Sequence, residues 1–123
     1  MITNANRFYP ELGGYVVLTD GTHGVVVAMQ DQGDANWSDA EAMVNDASKH
    51  DSNGAKFNDW RLPTKDELNF IYKQRGSIGG FVLGGGYWSS TEIGNSYAWE
   101  QVFYNGVQDA NTKNGSSYVR AVR

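Results

Sequence analysis

The sequence predicts an α+β fold, because its helix-type and strand-type patterns occupy separate parts of the chain. A Gly-containing turn between two β-branched runs comes first, and two amphipathic segments with helix-capping residues follow. The remainder is rich in Gly, aromatic residues and Asn. Strictly alternating strands and helices would instead favour a parallel α/β sheet. At 123 residues, the chain 1–123 is expected to form one domain.

The first element is a predicted β-hairpin. Tyr15–Thr19 and Val25–Met29 are rich in β-branched residues, and the segment Asp20–Gly24 lies between them. Asp and Gly adopt positive φ at low cost, so this segment is typical of a hairpin loop.

The next element is a predicted helix that begins near Ser38. Ser38 and Glu41 have the spacing of a capping box, in which each side chain accepts from the other residue's backbone amide. The apolar face of this helix, at helical spacing, is formed by Ala40, Met43, Val44 and Ala47.

A second helix is predicted between Thr64 and Gly76. Thr64 and Glu67 again have the capping-box spacing, and Pro63 prevents the helix from extending backwards. Gly76 is expected to end it. The buried stripe consists of Leu68, Ile71 and Tyr72.

Strands are predicted after Gly76 to the end of the chain, because glycines interrupt the helical pattern and aromatic and hydroxyl residues follow. Asn105-Gly106 is typical of a tight turn between two of these strands. An antiparallel meander is therefore expected. The predicted strands are Tyr87–Thr91, Tyr97–Tyr104, Val107–Ala110 and Tyr118–Val122.

Charge and hydropathy narrow the classes of partner. The 10 Lys and Arg residues against 14 Asp and Glu residues give a formal net charge of -4, which repels nucleic-acid phosphates. No apolar run approaches the ~20 residues of a membrane helix, and Met1–Pro10 lack a signal-peptide pattern. We therefore expect no nucleic-acid partner and no membrane insertion. The cytoplasm, a virion, or an exported protein from which this domain is excised remain open as locations.

The chemistry-bearing residues do not form a recognisable catalytic motif. The chain has no Cys, which excludes thiolate catalysis and cysteine-held metals, and its 2 histidines, His23 and His50, are expected to be ordinary surface residues. Gly84–Gly86 precedes a strand-type sequence rather than the helix that a phosphate site needs, so it is interpreted as a flexible loop.

Two groups of oxygen ligands keep calcium open as an alternative. They match no EF-hand spacing, so the sequence predicts no metal and no cofactor. These residues are Asp31, Asp34 and Asp39 in the first group and Asp51, Asn53 and Asp59 in the second.

Aromatic and charged residues around Asp59-Trp60-Arg61 predict a structural anchor. A Trp between Asp and Arg, directly before a helix cap, is expected to be buried, with the charges fixing the loop to the core. Trp88 and Trp99 are likewise expected in the core, and Arg120 and Arg123 flank the last strand.

Several motifs follow one another in a fixed order. They are Trp37-Ser38-Asp39-Ala40, Asp59-Trp60-Arg61-Leu62-Pro63-Thr64 with Glu67-Leu68, Tyr87-Trp88-Ser89-Ser90-Thr91, Ala98-Trp99, Phe103, Gly106, Lys113 and Tyr118-Val119-Arg120-Ala121-Val122-Arg123. Together, over roughly residues 15–123, the chain resembles the bacterial C-type-lectin-fold domain of surface adhesins and lipoproteins and of the variable proteins of diversity-generating retroelements. The resemblance implies two helices packed on a twisted antiparallel sheet, with the chain ends brought together. The chain departs from many members in lacking Cys and in having Ala121 where Pro is frequent.

The resemblance also implies a non-enzymatic ligand-recognition domain that binds a protein or glycan on a cell or virus surface. In the retroelement branch, exposed positions vary between fixed scaffold residues. If Ala98, Trp99 and Phe103 are scaffold, the alternating residues point to the other face of the strand. These are Glu100, Val102 and Tyr104. The candidate ligand-binding residues are Asn95, Tyr97, Glu100, Val102, Tyr104, Val107, Asp109, Asn111, Asn114 and Ser116.

Two other functions remain as alternatives. The first is a structural module of a phage tail or surface fibre, in which the same face packs against neighbouring subunits. The second, less favoured, is an enzyme related to the sulfatase-modifying oxidases, whose cysteine chemistry this chain cannot supply. The calcium-dependent sugar motif of animal lectins is absent from the sequence.

Overall fold

Strands and helices are segregated in the observed structure, which confirms the α+β prediction. A computed structural model describes residues 5–19 and 23–123. Within these ranges the elements are β1 (Arg7–Tyr9), β2 (Gly14–Thr19), β3 (Gly24–Val27), β4 (Gly33–Ala35), α1 (Trp37–Met43), α2 (Lys65–Lys73), α3 (Arg75–Ile78), β5 (Gly86–Ile93), β6 (Tyr97–Val102), β7 (Gln108–Thr112) and β8 (Ser117–Val119).

The predicted hairpin belongs to a three-stranded antiparallel sheet of order β1-β2-β3. β2 pairs with β3 from Tyr15↔Val27 to Thr19↔Gly24, which confirms the pairing of the two β-branched runs. The second strand ends at Val27, two residues before the predicted end at Met29. Residues 20–22 of the predicted loop lie outside the described residues.

A second sheet has the order β4-β8-β5-β6-β7. The meander β5-β6-β7 is antiparallel as predicted. β8, however, lies between β4 and β5 and pairs with β5 in parallel at Tyr87↔Tyr118, so the prediction of an entirely antiparallel sheet is wrong here. β8 follows β7 in the chain but lies on the other side of β5 and β6, so a crossover rather than a hairpin connects the two strands.

The last residues leave the second sheet and join the first. β8 ends at Val119 rather than at the predicted Val122. Arg123 exchanges backbone hydrogen bonds with Val26 of β3 at 2.7 and 2.9 Å, and Val122 exchanges them with Arg61 at 2.8 and 2.9 Å. Both described ends of the chain therefore add to the three-stranded sheet, on either side of β2 and β3.

Helix α1 begins with a different cap from the predicted one. Asn36 is the N-cap, and its side chain accepts from the Asp39 amide at 2.9 Å, so the predicted capping box of Ser38 and Glu41 is wrong. Asn caps a helix as well as Ser does, and here it places Trp37 in the first turn, with its indole N–H donating to the Ser89 carbonyl at 2.9 Å.

The end of α1 also differs from the predicted face. Ala40 and Val44 are buried as expected, but the helix ends at Met43. Ala47 is exposed and begins a separate 3₁₀ turn that is capped by Asp46, so it is not part of the apolar face.

Helix α2 confirms the predicted capping box. The Thr64 hydroxyl accepts from the Glu67 amide at 3.2 Å, and the Glu67 carboxylate accepts from the Thr64 amide at 2.8 Å. Leu68 and Ile71 are buried. Gly76 does not end the helical region, because the chain continues after Lys73 into the short helix α3, of which Gly76 is a part.

The apolar core has two parts. The first contains α1, Trp60 and Trp88, and the second contains α2, Tyr87 and Phe103. Successive side chains of a strand point to opposite faces, so Tyr87 and Trp88 on β5 reach different parts of the core. The first sheet contributes to both parts in the same way, with Val16 and Val26 in one and Val17 and Val27 in the other.

Two of the three aromatic anchors are in the core. Trp60 is 2% exposed and Trp88 is 0% exposed. Trp99 is only partly buried, and the Lys65 ammonium group lies 3.8 Å from the centre of its ring. The prediction of a core position for Trp99 is therefore wrong, since Trp99 lies on the opposite face of β6 from the buried Ala98.

The charges beside Trp60 fix the loop as predicted, although not by pairing with each other. Asp59 forms a salt bridge with Arg123 at 2.6 Å, and Arg61 forms one with Glu67 at 2.7 Å. Hydrogen bonding from Arg123 lowers the pKa of Asp59 below its ordinary value. Arg123 lies in the last segment of the chain and Glu67 lies in α2, so the two salt bridges attach the loop to both of these elements.

His50 is buried rather than exposed, contrary to the sequence-based expectation. Its ring stacks on Trp60 with 4.6 Å between the ring centres, and Nε2 lies 2.6 Å from the Val44 carbonyl oxygen. A carbonyl oxygen can only accept, so Nε2 carries the proton. His50 thus closes the first core, while His23 is exposed.

Replacement of the buried and the partly buried Trp should have different costs. Trp88→Ala is expected to lower the free energy of unfolding by about 3 to 5 kcal/mol, because it leaves a cavity in the core. Trp99→Ala is expected to cost about 1 kcal/mol, as a partly exposed substitution does. Urea unfolding of both variants measures the difference. Equal losses would contradict the placement of the two rings.

Glu67 should make stability depend on pH. Burial alone would raise the pKa of Glu67, but hydrogen bonds from Arg61 and Thr64 outweigh it and lower the pKa below 4.5. The stabilisation is therefore complete above about pH 4.5 and is lost as the pH falls through the lower folded-state pKa.

Glu67→Gln is expected to lose about 1 kcal/mol at pH 7, because the exposed Arg61 partner is partly screened by solvent. This difference should disappear in acid. Urea unfolding between pH 2 and 7 tests it, with Asp66→Asn, which removes a charge from the same turn, as the control. A difference that persists at pH 2 would contradict the role of the ionised carboxylate.

Candidate functional site

The predicted binding residues lie around strands β6 and β7, and the pleat of β6 decides which face each one occupies. Ala98 is buried in the first core, and Glu100 and Val102 are on the same face. Tyr97, Trp99 and Gln101 are on the opposite face, toward α2. Ala98 therefore shares a face with Glu100, whereas the sequence analysis placed the two on opposite faces.

Glu100 has a fixed conformation on its sheet face. It is half-buried, and its Oε2 accepts from the Ser117 hydroxyl at 2.6 Å. The Asn111 side-chain amide donates in turn to the Ser117 oxygen at 3.2 Å. The carboxylate lies against Gly86, where the Cβ of any other residue would collide with it. Cross-strand contacts and a glycine thus hold one carboxylate over the sheet.

Asp109 is the direct cross-strand partner of Glu100. Asp109 is exposed, and its Oδ1 accepts from the Ala110 amide at 2.8 Å. Like charges opposite each other on a sheet are destabilising. Among the described residues, no Lys or Arg forms a salt bridge with either carboxylate. This face is therefore locally acidic.

The turn between β6 and β7 carries exposed apolar side chains. Tyr104 is 76% exposed and Val107 is 49% exposed. Phe103, between β6 and Tyr104, is fully buried, and Gly106 packs against the Tyr72 ring of α2. β6 ends at Val102, so Tyr104 belongs to this turn. The prediction of a strand that extends to Tyr104 is wrong. The chain turns at Asn105-Gly106, but the connection is wider than the predicted tight turn: the Val102 amide donates to the Val107 carbonyl at 2.9 Å, so residues 103–106 form the loop. The buried Phe103 and the packed Gly106 hold Tyr104 in solvent.

The other predicted binding residues lie elsewhere. Asn95, Asn114 and Ser116 are exposed at the opposite ends of the strands, where the Lys113 amide donates to the Ser96 carbonyl at 2.8 Å. Tyr97 is exposed on the face opposite to Glu100. The structure therefore brings together only some of the predicted residues on one face of the sheet, which we call the Glu100 face: Glu100, Val102, Asp109 and Asn111. It separates Tyr97 and the three residues at the far end of the strands from this face.

Two exposed apolar residues that were not among the predicted binding residues lie beside this turn. Val82 and Leu83 are 37% and 54% exposed in the segment Gly79–Gly86. The Gly85 carbonyl accepts from the Phe103 amide at 3.4 Å, so this segment lies beside the β6–β7 turn. Two apolar residues within a Gly-rich stretch are the sequence signal that could have indicated them.

The interpretation of Gly84–Gly86 as a loop is wrong for Gly86, whereas Gly84 and Gly85 precede the strand. Gly86 is the first residue of β5, and Gly85 lies against the Tyr118 ring.

Three of the six candidate metal ligands accept hydrogen bonds from protein groups. Asp31 accepts from Arg120 at 2.7 Å, Asp59 accepts from Arg123, and Asp51 accepts from the Gly54 amide at 2.8 Å. Across the parts of the chain that the structure describes, no group of three or more His, Cys, Asp or Glu residues could hold a metal. No helix in those parts is long and apolar enough to cross a membrane.

A chelator is expected to leave the thermal midpoint unchanged, because several of these carboxylates already have internal donors. Thermal unfolding with EDTA, with added calcium, and with neither measures this. A midpoint that falls with EDTA and recovers with calcium would contradict the expectation and reveal a calcium site among the remaining carboxylates.

Comparison with known proteins identifies the family. The search of curated proteins finds no match to the chain. The family model described as the Lcl C-terminal domain matches residues 16–123. This range agrees with the extent of the resemblance in the sequence. It includes every candidate binding residue and, apart from Tyr15, every buried residue of the two core parts. The chain belongs to the Lcl C-terminal domain family, a family of C-type-lectin-like domains found in bacteria and phage.

Proposed function

We propose that the protein is a non-enzymatic ligand-recognition domain with the C-type lectin fold, and that it is a variable protein of a diversity-generating retroelement. It binds a protein or glycan of a cell or virus surface through the Glu100 face and the adjacent β6–β7 turn. The observation that carries the proposal is the contrast between the fully buried Phe103 and the exposed Tyr104 next to it. Family membership supports ligand binding in general.

The alternation of buried and accessible residues supports diversification. Ala98, Gln101 and Phe103 are each 0% exposed, so their replacement would disturb packing. The neighbouring residues Tyr97, Val102 and Tyr104 reach solvent. Substitutions at such surface positions usually change stability by less than about 0.5 kcal/mol. A recognition surface can therefore vary here while the scaffold stays the same.

The chemistry of the surface supports recognition of a macromolecule. Tyr104 provides a large ring with few rotatable bonds, and neighbouring Asn and Gly residues provide short polar groups and backbone contacts, as in antibody binding loops. Glu100 adds a hydrogen-bond acceptor that is already fixed before binding, which lowers the entropic cost of association. Helices α1 and α2, with the short α3 after α2, and sheets that receive both described chain ends are consistent with the C-type lectin fold.

A structural module of a phage tail or surface fibre is the second candidate. The exposed apolar residues Val82, Leu83, Tyr104 and Val107 favour it, because such side chains also pack between subunits. Light scattering of the purified domain distinguishes the two candidates, since a fibre module is expected to assemble. A gene for a reverse transcriptase beside this one, with a repeat that differs at adenines, would favour the retroelement variable protein.

An enzyme related to the sulfatase-modifying oxidases remains the least favoured candidate. Their cysteine chemistry has no counterpart in a chain without Cys. We therefore propose that the domain has no catalytic residues and needs no cofactor.

The proposed function is tested with a triple variant: Glu100→Gln, Val102→Ala and Tyr104→Ala. Gln keeps the acceptor for Ser117, so the domain should stay folded and lose less than about 1 kcal/mol of stability. Binding should fall at least about tenfold, because a few central side chains carry most interface energy. Purified wild type is first screened on arrays of glycans and surface proteins, and the variant is then titrated against each array component that wild type binds.

Phe8→Ala is the matched control, since it removes another exposed aromatic residue from the distant strand β1. It should bind as wild type does. Full affinity of the triple variant, or equal losses in both variants, would refute the proposed surface.

A further inference from the structure

Arg120 is a fully buried cation whose donors reach a loop far away in the sequence. Its side chain is 0% exposed. Nε donates to Asp31 at 2.7 Å, Nη1 to the Ala28 carbonyl at 2.9 Å, and Nη2 to the Gly80 carbonyl at 2.9 Å. Longer contacts of 3.3 and 3.4 Å reach the Gly79 carbonyl. One guanidinium thus satisfies the backbone at the start of the segment Gly79–Gly86.

The same network fixes the next two residues of the segment. The Phe81 ring lies 4.0 Å from the Arg120 guanidinium carbon and 4.8 Å from the Phe103 ring. The Val82 amide donates to the Tyr87 hydroxyl at 2.8 Å, and that hydroxyl donates to Asp31 at 2.6 Å. Asp31 therefore accepts both from Arg120 and from the tyrosine that holds Val82.

Tyr87 remains a donor across the physiological pH range. Burial and the hydrogen bond to Asp31 raise the pKa of Tyr87 well above its ordinary value. Its hydroxyl consequently keeps the proton that Asp31 accepts, and its oxygen remains available to the Val82 amide.

The far end of the segment is attached to the proposed recognition surface. The Gly85 carbonyl accepts from the Phe103 amide, and Gly86 pairs with Val102. Between the two attachments, Val82 and Leu83 remain exposed. A segment held at both ends in this way presents its apolar side chains beside the turn that carries Tyr104.

We propose that Arg120 is a positioning residue of the recognition surface: it fixes the segment Gly79–Gly86 so that Val82 and Leu83 extend this surface beside the β6–β7 turn. The inference rests on the proposed function. Gly80 has a φ of +78°, which other residues rarely adopt, and a Cβ there would lie 3.2 Å from Arg120 Nη2. The backbone at Gly80 therefore lies so close to the guanidinium that a Cβ would make a tight contact with it. The planar guanidinium of Arg has five N–H donors and can bind several acceptors at once, whereas the ammonium group of Lys has only three donors at a single nitrogen. Lys therefore cannot make the same set of hydrogen bonds.

Hydrogen exchange, read by mass spectrometry, tests the positioning without any ligand. Arg120→Lys should increase exchange of the Val82 amide, in peptides that cover residues 80–85, by at least about tenfold. The reason is that local opening of the segment must break the Arg120 contacts in wild type, whereas in the variant those contacts are missing and opening costs less free energy. Peptides from α2 and from β6 should keep their wild-type exchange. A purely structural role would raise exchange everywhere, so the restriction to this segment is the decisive readout.

Arg123→Lys is the matched control. Arg123 also pairs with an Asp, donates to a backbone carbonyl, that of Leu12, and lies over an aromatic ring, but it contacts none of residues 79–86. Its variant should leave the Val82 amide protected. If Arg120→Lys fails to fold, Asp31→Asn provides the second test and should raise exchange in the same peptides. Unchanged exchange of the segment in the folded variant, or an equal rise in Arg123→Lys, would overturn the positioning role.

A binding measurement tests whether the segment belongs to the surface. The double variant Val82→Ser and Leu83→Ser should bind the array component that wild type binds at least about tenfold more weakly. Full affinity would overturn the assignment of the segment and leave the proposed function standing. If wild type binds no component, the proposed function fails, and the exchange result alone decides whether Arg120 fixes the segment.

Discussion

The rest of the structure depends on the pairing of the C-terminal segment Ser117–Arg123 with both sheets. Its first part, β8, lies between β4 and β5 in the five-stranded sheet. Its last part pairs with Val26 in the other sheet and with Arg61, just before α2. These contacts join residues that are far apart in the sequence, so neither sheet is complete until the end of the chain is in place. The late position of this segment makes much of the fold non-local.

Two arginines of that segment fix loops on either side of it. Arg120 binds Asp31 and the backbone before β5, while Arg123 binds Asp59 and packs over Phe57. A buried guanidinium is costly to desolvate, and the cost is offset only when its donors are satisfied. Arg120 meets this condition with one carboxylate and several carbonyl oxygens. Charge is used here to order backbone segments that lack regular structure of their own.

The rigid core and the open surface are built from the same strands. On β6 and in the turn after it, buried residues and accessible residues follow one another closely, so the position of Tyr104 is set by the buried Phe103. Exposure at the turn was predictable, because Asn105-Gly106 marks it in the sequence. The fixation of Glu100 was not, because it depends on Ser117 and Gly86, which reach it only through the order of the strands.

The sequence by itself determined the features that depend on neighbouring residues. The capping box of Thr64 and Glu67 lies within four residues, and the pairing of β2 with β3 follows from two β-branched runs around one turn. Only the tertiary structure decided the parallel placement of β8, the burial of His50 and the partial exposure of Trp99. Each of these depends on which distant segment packs against the residue. The residue type and the spacing of its neighbours do not predict this packing, because a buried Trp or His and an exposed one can have the same sequence around them.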